Sequence, residues 1–130
     1  VGHYDGVVRN NVIVADVPYY DTGIELDQAR GALVVHNTII ETAAATGSFS
    51  SIDTRFDNSL TTVPNNLVRR ITVRSGTSMA DHDLERVPLS YFVDGAAGDA
   101  HLTSSATDAI DQGVVIPECP TDAEGMTCPS

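Results

Sequence analysis

Residues 34–40 read VVHNTII, and the same pattern returns on either side as VRNNVIV at 8–14 and VPNNLVR at 63–69. Superimposed, the three segments put Asn11, Asn37 and Asn66 in one register, 26 and 29 residues apart. An aliphatic or β-branched pair follows each asparagine: Val12 and Ile13, Thr38 and Ile39, Leu67 and Val68. One polar residue held at a fixed phase of such a repeat is the signature of a chain that winds back over itself. Asparagine has a physical reason to be there. It carries both a donor and an acceptor, so a column of asparagines spaced at ~4.8 Å can hydrogen-bond along its length. It also tolerates the left-handed backbone of tight turns. Asn11, Asn37 and Asn66 are therefore expected to form a structural ladder.

A second pair of segments falls between these. GIELDQ (23–28) and SIDTRF (51–56) both alternate with period two. Ile24, Leu26, Ile52, Thr54 and Phe56 would face one way, and Glu25, Asp27, Asp53 and Arg55 the other. Glu25 precedes Asn37 by 12 residues and Asp53 precedes Asn66 by 13, so the two submotifs recur in phase. The strands are short, rich in Val and Ile, and broken by Gly, Asn, Asp and Pro. Helical periodicity is weak, and the one Ala-rich stretch, ETAAATGS (41–48), contains a glycine near its end. These features predict an all-β chain wound as a β-solenoid of about three to four coils. A β-sandwich also has short strands, but it does not call for asparagine at one phase.

Residues 1–40 would hold a partial first coil and most of a second, and residues 41–70 would complete a third. Residues 71–87 read as a shortened fourth, with Ile71 and Val73 inward and Asp83–Leu84 in the asparagine position. Residues 88–116 would close a domain spanning 1–116, and 117–130 would be a Pro- and Cys-containing tail outside the core. The ends of a solenoid expose unpaired strand edges and need covering. The segment VGHYDGVVRNN enters a coil at once, with no amphipathic helix before it. The expectation is a longer native protein, or a partner chain over the N-terminal coil. A standalone domain is the second reading.

Composition narrows the function classes. The 130 residues are 42% hydrophobic and 19% charged, which is globular. Eighteen acids face seven bases, all arginine, for a net charge of −11. Binding to nucleic acid or an anionic membrane surface needs a basic face that this chain lacks. No run is long enough for a membrane span, and the first residues do not form a signal peptide. The absence of lysine removes Schiff-base and lysine-base chemistry. Cys119 and Cys128 are nine residues apart in PECPTDAEGMTCPS. A small disulfide loop, implying an oxidising compartment, is the first reading and free thiols the second. Zinc lacks its four ligands. There is no GxSxG elbow, P-loop or dinucleotide fingerprint.

The segment PLSYFVDGAAGDAHLTSSATDAIDQGV (88–114) adds a further pointer. With the asparagine repeats, its FVDGAAGDAHL turn followed by AIDQG resembles the C-terminal portion of bacterial right-handed parallel β-helix repeat proteins of the pectate-lyase-like superfamily. The resemblance covers most of residues 5–115. It implies a right-handed β-helix that is secreted or at the cell surface, and a carbohydrate-related role. The ending TDAEGMTCPS departs from the acidic DxDGxPR stretch common in such relatives, so the resemblance does not extend to the anchor or following domain they carry.

Two functions are then in view. The first is a structural or binding module directed at a polysaccharide or a partner chain. The second is part of a carbohydrate-active enzyme, a polysaccharide lyase or glycoside hydrolase. For catalysis the candidates are Glu25, Asp53 and Arg55. On adjacent coils the two carboxylates would repel and raise one pKa, as a general acid requires. Asp27 would pair with Arg55, and Arg55 or Arg30 could grip a uronate carboxylate. For binding the candidates are Asp27, Tyr19 and Tyr20, whose rings could stack on sugars, and His36 beside the ladder. His82, in DHD, and His101 read as structural. The acids are chemically able to hold Ca²⁺, but DHD (81–83) and DGAAGD (94–99) lack a calcium-loop pattern, so no cofactor is expected.

Overall fold

The structure is a computed structural model and describes residues 3–74 and 78–127. Among the described residues there are twelve strands, two short 3-10 turns and no α-helix. The chain runs through β1 (His3–Tyr4), β2 (Val7–Arg9) and β3 (Val12–Ala15), then β4 (Thr22–Asp27), β5 (Ala29–Val35) and β6 (Thr38–Glu41). It continues through β7 (Ser50–Arg55), β8 (Leu60–Pro64), β9 (Ile71–Val73) and β10 (Met79–Asp81). Pairings among these ten strands are all parallel. They sort into three sheets: β1 and β2 beside β5, followed by β8 and β10; β3 beside β6; and β4, β7 and β9 in order. Parallel bridges from Thr38 to Leu67 and from Leu67 to Leu84 carry the β3–β6 row onward. Each sheet thus gains its next strand only after the chain has visited the other two.

The register matches the sequence repeat. Val12, Ile13 and Val14 face Thr38, Ile39 and Ile40, and Ile24, Glu25, Leu26 and Asp27 face Ile52, Asp53, Thr54 and Arg55. Period-two alternation explains the core. Ile24, Leu26, Ala29, Ala32, Val34, Ile39, Ile52, Val63 and Val68 form one buried cluster, with Val8, Ile13 and Ile71 against it. Phe56 departs from the alternation. Its backbone is left-handed (φ 68) at the corner between β7 and β8, which turns the ring out to 52% exposure.

The corner between β5 and β6 and its equivalents hold the stack in register. Asn10, His36, Asn65 and His82 all have φ between 54 and 57, the left-handed turn conformation. Each such non-glycine residue costs about 1–2 kcal/mol, so something must hold the corner. The next residue does so. Asn11 donates through N and Nδ2 to Asn37 Oδ1 (3.2 and 2.8 Å). Asn37 repeats this to Asn66 Oδ1 (2.9 and 3.0 Å), and Asn66 to Asp83 Oδ1 (2.7 and 2.8 Å). Each asparagine amide also reaches the carbonyl two residues back, on Arg9, Val35 and Pro64. The ladder runs as expected, and Asp83 takes the fourth position.

The C-terminal segment lies along one side of the stack. β11 (Phe92–Asp94) and β12 (Asp99–Leu102) form an antiparallel hairpin, flanked by 3-10 turns at Leu89–Tyr91 and Gly95–Ala97. DGAAGD is the hairpin turn, with Asp94 capping Ala97 N and Gly98 left-handed at φ 90. Gly95 sits so close to β6 that a Cβ would lie 2.9 Å from Leu89 Cδ1 and 3.2 Å from Ile40 Cγ2. Residues 117–127 return to the first corner: Arg9 Nη1 donates to Glu118 O (2.7 Å) and Asn10 Nδ2 to Thr121 O (2.9 Å). Cys119 is buried here as a free thiol, its Sγ donating to Asn10 Oδ1 at 3.4 Å. The expected Cys119–Cys128 bridge is therefore not made at Cys119, and Cys128 lies outside the described residues. No helix among the described residues is long and apolar enough to cross a membrane.

Replacing Asn66 by Ala removes an acceptor for two donors of Asn37 and strips the amide from buried carbonyls of Val34 and Pro64. The expected loss is about 3 kcal/mol, the scale of a broken buried network. A urea titration checks it as a lower midpoint at unchanged slope. A loss under about 0.5 kcal/mol, typical of a surface change, would show that the ladder carries no such weight.

Candidate functional site

β4, β7 and β9 present one outward face. Period two places Glu25 and Asp27 there from β4, Asp53 and Arg55 from β7, and Thr72 from β9. Arg74 continues the alternation past Val73 and donates its backbone N–H to Thr54 O (3.0 Å). The structure brings Glu25, Asp53 and Arg55 together as the repeat predicts, but not as a free carboxylate pair. Asp53 is fully buried although it points outward. Arg55 Nε holds its Oδ2 at 2.7 Å, and Arg74 Nε holds its Oδ1 at 3.1 Å. The same Arg55 guanidinium reaches Glu25 Oε1 (3.1 Å) and Asp21 Oδ2 (3.2 Å). One arginine therefore bridges three acids and keeps its own proton more firmly than usual, chiefly through the hydrogen bond to Asp53.

Two expectations are corrected by this arrangement. Asp27 stands opposite Arg55 in the backbone register, yet the salt bridges of Arg55 go to Asp21, Glu25 and Asp53. The guanidinium turns toward the buried charge, where pairing matters most. The carboxyl of Glu25 is raised above its ordinary value, as expected, but by a different cause. Desolvation leads; Arg55 opposes it; the neighbouring acids that add to it are Asp27, two residues along the same strand face, and Asp21.

The aromatic candidates separate. Tyr19 is 66% exposed, with one edge of its side chain against Gly47. Tyr20 is tied down: its hydroxyl donates to Glu41 Oε1 at 2.5 Å, and burial with that carboxylate pushes its pKa up to about 12. Glu41 also takes Arg69 Nε (2.8 Å) and Ser48 Oγ (3.1 Å), which locks the loop before β7 to the end of β6. Next to it, the Arg70 and Arg74 guanidinium carbons lie 5.1 and 4.9 Å from the Phe49 ring centre. Arg74, Arg70, Phe49 and Glu41 were not among the sequence candidates. Extending the alternation of Ile71 and Val73 by one residue finds Arg74; the loop partners have no periodic signal.

His36 belongs to another part of the molecule. It sits at the ladder corner, across β5 from the Glu25 face, with Nε2 3.0 Å from Asn65 Nδ2 and its pKa lowered by burial. It lines a cleft of about 1020 Å³ between the ladder corners and the C-terminal segment, shared with Asn65, Asp99, His101, Val114 and Glu124. His101 lies between Asp99 Oδ1 (2.6 Å) and Glu124 Oε1 (3.1 Å), which raises its pKa. His82 pairs with Asp81 at 3.0 Å. Among the described residues, no group of three or more His, Cys, Asp or Glu is arranged to hold a metal ion.

No protein-family model, no curated protein and no solved structure matches the chain.

Removing Arg55 (Arg55→Met) leaves Asp53 with Arg74 as its remaining partner, at an expected cost of about 1–3 kcal/mol. Removing both arginines leaves a buried unpaired charge, and the double variant should lose more than the sum of the singles. Chemical denaturation of the two singles and the double checks this. Additive losses would mean that the arginines do not share Asp53.

Proposed function

We propose that this chain is a module of a right-handed parallel β-helix, similar in kind to the C-terminal portion of secreted bacterial pectate-lyase-like repeat proteins. Its role is structural or binding, toward a polysaccharide or a partner chain, outside the cell or on its surface. Three parallel sheets fed in rotation and an asparagine ladder support the architecture. The observation that carries the functional half is Asp53. A general acid or nucleophile needs an accessible carboxyl whose proton can move to the substrate. Both oxygens of Asp53 are instead held by arginines, and the side chain has no exposed surface. The expected catalytic pair is consumed as an internal brace. What the face still offers a ligand is Tyr19, Asp27 and the outer edge of Glu25.

The partner-chain variant draws on the first pass. Tyr4, Val7 and Val12 are exposed, and β1, β2 and β3 each pair on one side only among the described residues. A further parallel strand from another chain would cover them and add a rung above Asn11.

The second reading, part of a polysaccharide lyase or glycoside hydrolase, rests on the raised carboxyl of Glu25 beside Asp27 and Arg55. A panel of neutral and uronic-acid polysaccharides separates the two. The module reading expects retention on a glycan or a partner with no new reducing ends or unsaturated products, and weaker glycan retention in Tyr19→Ala. Depolymerisation that Glu25→Gln abolishes would overturn it and install the enzyme.

A further inference from the structure

The ladder ends on a residue of the wrong chemistry. At Asn11, Asn37 and Asn66 the side-chain oxygen position is an acceptor and the nitrogen position a donor. Asp83 supplies the acceptor: its Oδ1 takes Asn66 N at 2.7 Å and Asn66 Nδ2 at 2.8 Å. Its Oδ2 stands where the other rungs carry an NH₂ group, and it is buried with no hydrogen-bond partner. On the asparagine rungs that NH₂ donates to the carbonyl two residues back, on Arg9, Val35 or Pro64. Asn37 and Asn66 also reach a carbonyl on the preceding pass, on Val8 or Val34. Counted by register, the carbonyls in the equivalent places for Asp83 are those of Asp81 and Val63, both acceptors. An ionised carboxylate there meets lone pairs with lone pairs. A protonated one has the same donor and acceptor layout as an asparagine amide.

We propose that Asp83 is a proton-operated last rung: protonated on Oδ2 it completes the ladder by donating to the facing carbonyls, and ionised it loosens the segment 79–87. The surroundings favour the proton. Desolvation, helped by Glu85, pushes the Asp83 carboxyl up to about 6, against hydrogen bonds from Asn66 and from the Asp81 backbone that pull it down. The titratable groups around it are Asp81, His82 and Glu85 on its own segment. Asp108 on the C-terminal segment and His36 on the second corner line the same groove. Arg86 lies on the same segment, three residues after Asp83.

The sign follows from linkage. An unfolded aspartate loses its proton near pH 3.9, whereas the folded one keeps it to about 6. Stability from this group is present in full below the unfolded value and is lost as pH rises through the folded one. Asp83→Asn fixes the protonated layout permanently. The variant should match the wild type near pH 4 and exceed it by about tenfold in folded-to-unfolded ratio at pH 7, since solvent screening lowers the ceiling of tenfold per pKa unit. Urea unfolding of both proteins from pH 4 to 7 reads the difference, in which contributions common to both cancel. The second readout is made on the wild type alone, so it does not depend on how the variant folds: the carboxyl carbon of Asp83 followed by NMR through the same range. A midpoint near 6, with faster exchange of the Asn66 amide above it, is expected. A midpoint near 4, or a variant that parallels the wild type at every pH, would overturn the proposal.

Discussion

The hydrogen bond from one asparagine amide to the oxygen of the next is the constraint on which the arrangement rests. A buried face forbids a slip of one residue, which would turn every side chain to the other face, but backbone pairing alone does not forbid a slip of two. The asparagine column removes that freedom at one corner. With Asn11, Asn37, Asn66 and Asp83 aligned, Ile24 lies on Ile52 and Glu25 on Asp53, the longer corner before β8 and a register shift between Arg30 and Ala32 absorbing the difference between the two spacings. The same corner absorbs four left-handed residues that the backbone would otherwise resist. Buried apolar area supplies the bulk of the stability, and the ladder decides which of many apolar stacks is formed.

The outward face uses its charge in a similar way. In an acidic chain with seven arginines, three of them, Arg55, Arg69 and Arg74, are committed to the partly or fully buried acids Asp53 and Glu41. Breaking such a pair costs more than forming it contributes, so these residues act as locks on conformation. The acids left at the surface of this face are Asp21, Asp27 and the outer part of Glu25. This division places a buried brace, Asp53 with Arg55 and Arg74, beneath the exposed acids of the face.

Much of this was legible in the sequence because it was periodic. The repeat of asparagine followed by an apolar pair located the ladder, and the alternation in GIELDQ and SIDTRF set the register of β4 against β7. Even Asp83 in the asparagine position could be reached by counting. What escaped was aperiodic. Phe56 broke the alternation through its backbone angle, not its side chain. Tyr20 looked like a free aromatic until Glu41, 21 residues on, took its hydroxyl. Arg55 was matched to Asp27 by register, while a guanidinium on a long stem chooses by burial. Cys119 was read for its neighbour in sequence, and its surroundings are set by Asn10, 109 residues away.

The central claim, that the asparagine column holds the stack, is tested most directly by hydrogen exchange of the side-chain amides of Asn37 and Asn66, observed by NMR. Exposed side-chain amides exchange freely, whereas buried ladder amides open only with the surrounding structure. The account predicts that these two exchange with the slowest backbone amides of β5 and β8, and that Asn11, at the exposed end, exchanges much faster. Rates for Asn37 and Asn66 equal to those of a surface amide would contradict it.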